Sequence, residues 1–363
     1  MKKISHRYVR KTAAGVVALS MLCAAAIPSV LAMPAGAASA SGDLNGDGSV
    51  TAADVAILQT SLLGGTALTA EQYANADVTG DGAVDGLDLT RLRQMAAVVP
   101  VSDAIAIHLS DSGITVEGDT KGVTAVSGKT VTISASGNYT VDGTITDGQI
   151  LVNVADPTAD PDAVSLYLQG VTMTSSTGAP CILGQSAGKL KLTCSGINTL
   201  TDTAAAVNAD TSGVIYGDCD ITVTKNSTGT LNITSSMNTA IRSKDDIKLN
   251  GGDISINTDV DATSDADAIR ANNTLEIDGA SMTVTSSADG LKSSKEDVSI
   301  LSGKVSIKAG NDAVQAATAL NISGGTVTAS GDRGFTLDEN GVLAITGGDV
   351  LATATDYAFG MDS

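Results

Sequence analysis

From about Asp220 onward, apolar and polar residues alternate along the chain, and the pattern returns with a period near 22 residues. Alternation at every second residue is typical of strands with one buried face, and a repeat of this length is typical of solenoid coils. Three strands fit into each copy. The pattern therefore predicts a parallel β-helix with an aliphatic interior and a polar outside. A β-sandwich or a propeller would need hairpin turns that the pattern does not show.

Four apolar ladders carry this prediction, each with one residue per copy. They are Ile247, Leu275, Val298, Leu320 and Leu343; Leu249, Ile277, Ile300, Ile322 and Ile345; Ile254, Met282, Val305, Val327 and Val350; and Ile241, Ile269, Leu291, Val314, Phe335 and Phe359. Glycine marks the turn before the third ladder, at Gly252, Gly279, Gly303, Gly325 and Gly348. We expect the members of each ladder to stack on one another in successive coils.

Nearer the N-terminus, an Asp-rich loop followed directly by an apolar helix occurs twice, with helices over residues 55–63 and 89–97. Each loop has oxygen-bearing side chains at positions 1, 3 and 5, glycine at 6 and a carboxylate at 12, as Ca²⁺ binding requires. The predicted ligands are Asp43, Asn45, Asp47, Ser49 and Asp54 in the first loop, and Asp77, Thr79, Asp81, Ala83, Asp85 and Asp88 in the second. No helix is expected to precede either loop.

The two loop-and-helix units, with Asp at position 12 and 34 residues between their first ligands, resemble a type I dockerin over residues 42–99. The resemblance implies folding on calcium and docking to a cohesin domain of a cellulosomal scaffold. In that family, loop positions 10 and 11 recognise the cohesin. Here they are Ala52 and Ala53, then Gly86 and Leu87. Thr79 stands where Asn or Asp is usual, which weakens one ligand.

Charge and targeting signals narrow the functional classes. Residues 1–40 carry five basic residues followed by an apolar stretch and small residues, which predicts a secretory signal peptide and an extracellular protein. Without them, 16 Lys and Arg oppose 40 Asp and Glu, a net charge of −24. This charge argues against nucleic acid as a partner and suits solubility or the binding of divalent cations. No later segment is long and apolar enough to span a membrane.

After residue 40, the chain has few histidine, cysteine and aromatic residues that could form a functional site. His108 is the one histidine, so histidine-based catalysis and His-ligated zinc are close to excluded. Cys181, Cys194 and Cys219 lie among apolar residues without metal-ligand spacing, and we interpret them as buried small hydrophobic residues. Aromatic residues are only 2% of the chain, so an aromatic platform for sugar stacking would have few rings to use.

Three segments, residues 137–154, 164–181 and 241–252, are similar to a β-helical carbohydrate-binding family of secreted proteins from cellulose-degrading clostridia. The similarity extends from about residue 127 to the end. It implies a right-handed parallel β-helix, calcium ions in acidic turns, binding of pectic acid or cellulose, and structural kinship to calcium-dependent polysaccharide lyases. The expected fold is thus all-β over residues 104–363, truncated or uncapped at its C-terminal end, with a small α-helical dockerin before it.

Carboxylates beside the fourth ladder fall in adjacent coils, at Asp267, Asp289, Asp312 and Asp332. Stacked like charges repel, so calcium, backbone amides of the turns, or the basic residues Arg242, Arg270 and Lys292 should balance them. Calcium is the preferred hypothesis, held by Asp245 or Asp246 together with Asp267 and Asp289.

Three functions remain open for the solenoid. In the first, Arg242, Arg270 and Lys292, assisted by calcium, bind the carboxylates of a uronate polymer. In the second, the solenoid is a pectate-type lyase in which Lys292 or Lys244 removes a proton, although neighbouring Asp residues would raise the pKa of such a base. In the third, it is a structural spacer on the scaffold.

Overall fold

The computed structural model describes residues 42–46, 50, 52–79, 82–96, 103–208, 210–259 and 266–361. The predicted signal peptide, residues 1–40, lies outside them. Three helices come first: α1 (Ala52–Leu62), α2 (Ala70–Ala76) and α3 (Gly86–Ala96). Helices α1 and α3 are the two predicted apolar helices, and each begins three residues earlier than expected. The early start places Asp54 and Asp88 in the first helical turn, where a carboxylate complements the helix N-terminus.

Helix α2 precedes the second loop, so the expectation that no helix lies there was wrong. Its N-terminus is a capping box: the Thr69 hydroxyl accepts a hydrogen bond from Gln72 N at 3.2 Å, and Gln72 Oε1 accepts one from Thr69 N at 3.0 Å. The Gln72 amide also donates to the Leu44 carbonyl at 2.8 Å, which connects α2 to the first loop. In the sequence, this capping box corresponds to the pattern Thr-x-x-Gln at residues 69–72.

A small hydrophobic core holds the helical region together. Its buried members are Leu44, Leu58, Ala76, Val78 and Leu92. They come from the first loop, α1, the end of α2, the second loop and α3, so both loops and all three helices contribute to one cluster.

Twenty-six strands follow within the described residues, and all belong to one continuous sheet. They are β1 (Ile105–Leu109), β2 (Thr115–Glu117), β3 (Thr124–Ser127), β4 (Thr130–Ile133), β5 (Gly137–Thr146), β6 (Gln149–Asn153), β7 (Ala163–Gln169), β8 (Thr172–Ser175), β9 (Ile182–Ser186), β10 (Lys189–Ser195), β11 (Ile197–Asp202), β12 (Gly213–Gly217), β13 (Ile221–Val223), β14 (Thr230–Ser235), β15 (Thr239–Ser243), β16 (Ile247–Leu249), β17 (Asp253–Asn257), β18 (Ile269–Ala271), β19 (Leu275–Ser286), β20 (Leu291–Ser293), β21 (Val298–Ala309), β22 (Asp312–Ala316), β23 (Ala319–Ile322), β24 (Thr326–Leu337), β25 (Val342–Ile345) and β26 (Asp349–Met361). Strands pair in parallel with the equivalent strand of the next coil, for example β10 with β13 and β13 with β16. The predicted parallel β-helix is confirmed.

The four predicted ladders are confirmed residue by residue. Along the first, Ile247 pairs with Leu275 and Leu275 with Val298, and the series continues to Leu343. The other three ladders pair in the same way, the fourth from Ile241 to Phe359. Register is fixed because a slip of one residue would turn each buried row towards solvent.

Glycine is required where the chain bends before the third ladder. Gly303 has φ +105°, a conformation that other residues rarely adopt, and a Cβ placed on it would lie 2.3 Å from the Ala280 carbonyl oxygen of the preceding coil. The predicted turn glycines all have positive φ. Two features therefore select glycine at this point: the backbone conformation and the close approach of the neighbouring coil.

The two ends of the described solenoid differ. At the first coils, β1 pairs antiparallel with β2, and β3 with β4, the latter through a two-residue connection in which Gly128 has φ +59°. These two antiparallel pairs were not expected from the sequence. At the last described strand, the apolar side chains of Leu351 and Phe359 are exposed, at 57% and 45%.

The interior of the solenoid is aliphatic, as predicted. Its central rows of Ile, Leu and Val side chains are almost wholly buried, and Cys181, Cys194 and Cys219 are free thiols within that interior. Burial raises the pKa of the Cys194 thiol to about 12. The interpretation of these cysteines as small core residues is confirmed. None of the described helices combines the length and apolar character that a membrane crossing needs.

Candidate functional site

The first Asp-rich loop is organised around two buried carboxylates. Asp54 Oδ1 accepts hydrogen bonds from the backbone N–H groups of Leu44 at 2.8 Å and Asn45 at 3.0 Å. Asp43 Oδ1 accepts one from Gly46 N at 2.7 Å. Asp43 and Asp54 are 2% and 0% exposed. The carboxylates at positions 1 and 12 are therefore held by three successive backbone amides of the loop, those of residues 44 to 46.

The second loop repeats this arrangement. Asp88 Oδ1 accepts from Thr79 N at 3.1 Å, its Oδ2 accepts from Asp85 N at 2.9 Å, and Gly82 N donates to Asp77 Oδ2 at 2.9 Å. The Thr79 hydroxyl, the departure from the usual pattern, donates to Asp88 Oδ1 at 3.0 Å. This bond uses the hydroxyl proton of Thr79 and leaves the lone pairs of its oxygen available.

The described residues of both loops fit a calcium ion. The side-chain donors are oxygens, and Asp54 and Asp88 are fully buried, an environment in which an ionised carboxylate needs a balancing positive charge. Asn45, Ala83 and Asp85 are among the described residues, and their role as ligands stays a prediction. Asp47, Ser49 and Asp81, also predicted as ligands, lie outside the described residues.

The residues predicted to recognise a cohesin lie at the start of the two apolar helices. Ala52 begins α1 and Gly86 begins α3. Ala53 is exposed, and Leu87 is 64% exposed, which makes it a large apolar side chain on the surface of the helical region. Both helix starts thus present small or apolar residues outward.

Within the solenoid, Asp267, Asp289 and Asp312 form a buried aspartate column, with exposures of 7%, 2% and 0%. Asp267 Oδ1 accepts from the backbone N–H of Asp289 at 3.2 Å, and Asp289 Oδ1 from that of Asp312 at 3.1 Å. Each carboxylate therefore caps the backbone of the next coil. Burial, and then the charge of Asp289, raises the pKa of the Asp267 carboxyl to about 6.

Basic side chains form ion pairs with this column. Lys292 Nζ lies 2.6 Å from Asp289 Oδ2, and an Arg270 guanidinium nitrogen lies 3.6 Å from Asp267 Oδ2. Arg333, which the sequence analysis did not single out, contacts both oxygens of Asp312 at 2.6 and 2.7 Å. Of the three alternatives, the structure shows capping by backbone amides and pairing with basic residues acting together.

The proposed calcium site that combined Asp245 or Asp246 with Asp267 and Asp289 is corrected by the structure. Asp245 lies in the turn after β15 and accepts a hydrogen bond from the Asn273 amide at 2.7 Å, so it is level with Asn273 in the next coil. Asn273 and Asp267 lie six residues apart on either side of β18, a separation on the order of 20 Å in extended chain. One ion cannot contact both ends of this strand.

Asp246 is used by the next coil as well. Its Oδ1 accepts a hydrogen bond from Thr274 N at 3.0 Å. Among all the described residues, in the solenoid as in the helical region, no three carboxylate, imidazole or thiolate groups lie close enough together to hold a metal ion. At this turn, the doubled Asp is followed in the next coil by Asn273 and Thr274, which are neutral.

A cationic row, defined as Arg242, Arg270 and Lys292, occupies one outward position on β15, β18 and β20. Tyr216 precedes Arg242 in the same position on β12. The Arg242 guanidinium carbon lies 5.9 Å from the centre of the buried Tyr216 ring, and Lys244 Nζ lies 5.7 Å from it. The Tyr216 ring therefore makes cation–π contacts with Arg242 and Lys244. This role of Tyr216 was not predicted, although the register of the fourth ladder places Tyr216 beside Arg242.

Comparison with known proteins assigns the helical region and most of the solenoid to known families. Residues 41–95 match the dockerin type I domain, and residues 127–358 match the family described as carbohydrate-binding domain-containing protein. The chain belongs to this carbohydrate-binding family. A carbohydrate-binding domain-containing protein of Acetivibrio thermocellus is 34% identical over 139 residues, 36% of this chain. The match spans 46% of that relative, less than half of its length.

A solved structure supports the fold. The polysaccharide lyase-like protein from C. thermocellum, studied as a gadolinium derivative, superposes with a TM-score of 0.56 and 25% sequence identity. The superposition covers 68% of this chain and all of that protein.

Proposed function

We propose that this chain is a secreted cellulosome component that docks to a cohesin through its calcium-loaded dockerin and binds plant cell-wall polysaccharide without cleaving it. The cationic row is the binding site for uronate carboxylates. It is the feature that carries the proposal, because three basic side chains stack in register on a protein whose overall charge would repel an acidic polymer.

The cations in the row are held in place and still reach solvent. The side chains of Arg270 and Lys292 are 39% and 21% exposed, although each is paired with an Asp beneath it. A guanidinium has five N–H donors and an ammonium three, so both keep donors for a ligand carboxylate. Successive coils lie about 4.8 Å apart, so the row spans about 10 Å along the solenoid axis. A linear acidic polysaccharide lying along that axis would meet all three cations.

Calcium has its role in the dockerin. When bound, it supplies the positive charge that the buried carboxylates of Asp43, Asp54 and Asp88 require, and so completes the two loops on which α1 and α3 begin. In the solenoid, Arg270 pairs with Asp267 and Lys292 with Asp289, so the cationic row is held in place without such an ion. We therefore expect chelation to abolish cohesin docking and to leave polysaccharide binding in place.

A polysaccharide lyase is the second candidate, favoured by the description of the structural relative as polysaccharide lyase-like. The two candidate bases argue against it. Lys244 Nζ lies 2.8 Å from Asp218, and this contact raises the pKa of Lys244, which disfavours the free amine. Lys292 is bound to the buried Asp289 at 2.6 Å. Incubation with polygalacturonate and calcium distinguishes a lyase from a non-catalytic binding protein, because elimination produces an ultraviolet-absorbing unsaturated sugar.

Affinity electrophoresis of the mature chain in gels containing polygalacturonate tests the binding function. We expect retardation of the wild-type chain, and loss of it in Arg242→Gln, a variant that leaves no buried aspartate unpaired because Arg242 contacts Ser212 and Tyr216. Lys304→Gln removes the same charge at an exposed position on β21 and should run as the wild type. Equal retardation of both variants would remove the cationic row from the site.

A further inference from the structure

Arg91 on α3 connects the helical region to the solenoid. Its guanidinium donates a hydrogen bond to the Thr230 hydroxyl, and another of its nitrogens lies 3.6 Å from Asp253 Oδ2. Thr230 and Asp253 are the first residues of β14 and β17, and they pair across adjacent coils. The Arg91 side chain is 16% exposed, so the guanidinium that bridges these two coils is largely covered.

This contact lies well along the solenoid and not at its first described coil. In the strand series that contains β14, β5 pairs with β8, β8 with β11, and β11 with β14. Strand β5 also pairs with β1, the first described strand. Three steps of about 4.8 Å place the Arg91 contact about 14 Å along the axis from β5. Helix α3 therefore lies against the side of the solenoid.

Charge explains why an arginine makes this contact. Residues 42–99 carry eight Asp and Glu against two Arg, and residues 100–363 carry 32 Asp and Glu against 14 Lys and Arg. Two such acidic regions repel each other at short range. Arg93, the second arginine of the helical region, donates to Gln59 Oε1 of α1 at 2.9 Å. Arg91 is therefore the positive charge that the helical region places against the acidic solenoid.

The Arg91 contact restricts access to the start of α3. Leu87, a predicted cohesin-recognition residue, lies four residues or about 6 Å before Arg91, on the same face of the helix. A protein–protein interface of ordinary size covers about 800 Å² of each partner, which is wide enough to reach from Leu87 across Arg91 to the solenoid. A cohesin centred on Leu87 would therefore collide with β14 and β17.

The first loop-and-helix unit differs from the second at the corresponding position. Ile57 corresponds to Arg91, since each stands three residues after the Asp at loop position 12. Ile57 is apolar and packs against the hydrophobic core of the helical region. Ala53, which corresponds to Leu87, is exposed. The second unit thus carries a charged side chain for the solenoid where the first carries a side chain for its own core.

We propose that Arg91 clasps the dockerin domain onto the side of the solenoid, so that the start of α3 is covered and a cohesin docks at the start of α1. The choice of α1 rests on the proposed docking function, whereas the clasp itself does not. With the clasp closed, the solenoid is held in one orientation relative to the bound cohesin and does not swing on a free tether.

Small-angle X-ray scattering of the mature chain in calcium tests the clasp. Arg91→Glu places a carboxylate against Asp253 and should increase the radius of gyration, and the double variant with Arg91→Glu and Asp253→Arg should restore the wild-type value. The matched control is Arg93→Glu, the same charge change at an exposed position of α3, which should leave the radius unchanged. Equal radii for the wild type and Arg91→Glu, or an increase that the double variant does not reverse, would overturn the clasp.

Binding to an array of recombinant type I cohesin domains tests the choice of helix. We expect Ala53→Arg to lower the affinity for the bound cohesin by about thirtyfold or more, as at the centre of an interface, and Leu87→Arg to change it by less than about twofold. Equal losses, or the larger loss in Leu87→Arg, would overturn docking at α1. If the wild-type chain bound no cohesin, the docking function and the choice of α1 would both be wrong, while the scattering result would still decide the clasp.

Discussion

Replacing Asp267 by Asn should stabilise the solenoid at neutral pH much more than at acidic pH. Asp267 is 7% exposed, and burial together with the charge of Asp289 raises the pKa of its carboxyl from 3.8 to about 6. A group whose pKa is raised by folding contributes stability at low pH, and that contribution is lost as the pH rises through the folded-state pKa. Above about pH 6 the folded chain must therefore hold an ionised carboxylate in an unfavourable place.

The magnitude follows from the two pKa values. A rise from 3.8 to about 6 corresponds to about 3 kcal/mol in the free energy of unfolding once Asp267 is ionised. Asn cannot ionise, and its side-chain oxygen can still accept the hydrogen bond from Asp289 N. The attraction of Lys292 and Arg270 is already contained in the raised pKa, because both lower it. The advantage of the variant should thus grow by about 2 kcal/mol between about pH 4 and about pH 7.5.

Guanidinium unfolding followed by circular dichroism, at several pH values, measures this difference. The control is Asp278→Asn, which removes an exposed carboxylate on β19. A stability difference between Asp267→Asn and the wild type that stayed constant from acid to neutral pH would refute the reasoning. It would mean that the ionised Asp267 is fully compensated by Arg270 and Lys292.

Two further predictions concern the helical region and the solenoid turns. Removal of calcium with a chelator should abolish the helical circular dichroism of α1 and α3, because the buried loop carboxylates Asp54 and Asp88 lie in the first turns of these helices. The strand signal of the solenoid should remain. Simultaneous loss of both signals would contradict this prediction. Gly303→Ala should lower the free energy of unfolding by roughly 2 to 4 kcal/mol, since its φ is +105° and its Cβ would lie 2.3 Å from the Ala280 carbonyl oxygen. Gly184→Ala, with 3.4 Å to Cys219 Sγ, is the control in denaturant unfolding and should change stability far less.

The pairing of the solenoid strands could be predicted from sequence because each coil repeats the same short-range pattern. Ile247, Leu275 and Val298 occupy equivalent positions of successive copies, and burial of every second residue leaves one register that keeps all of them inside. The two Asp-rich loops of the dockerin domain were recognisable for a similar reason, since the residues predicted as ligands in each loop lie within twelve residues of one another. Helix α2 was missed because its capping box is a short local signal between two stronger motifs.

The partners of the charged residues were decided by the tertiary structure. The sequence placed Asp245, Asp246, Asp267 and Asp289 in neighbouring coils, but it did not show that β18 separates the first two from the others. It also did not show which of the available charges pairs with Asp289: the ammonium of Lys292, three residues later in the same coil, lies 2.6 Å away. The sequence by itself thus determined which rows are buried, because burial follows a local period. Only the folded chain decided which carboxylate meets which cation, because that depends on where each turn directs its side chains.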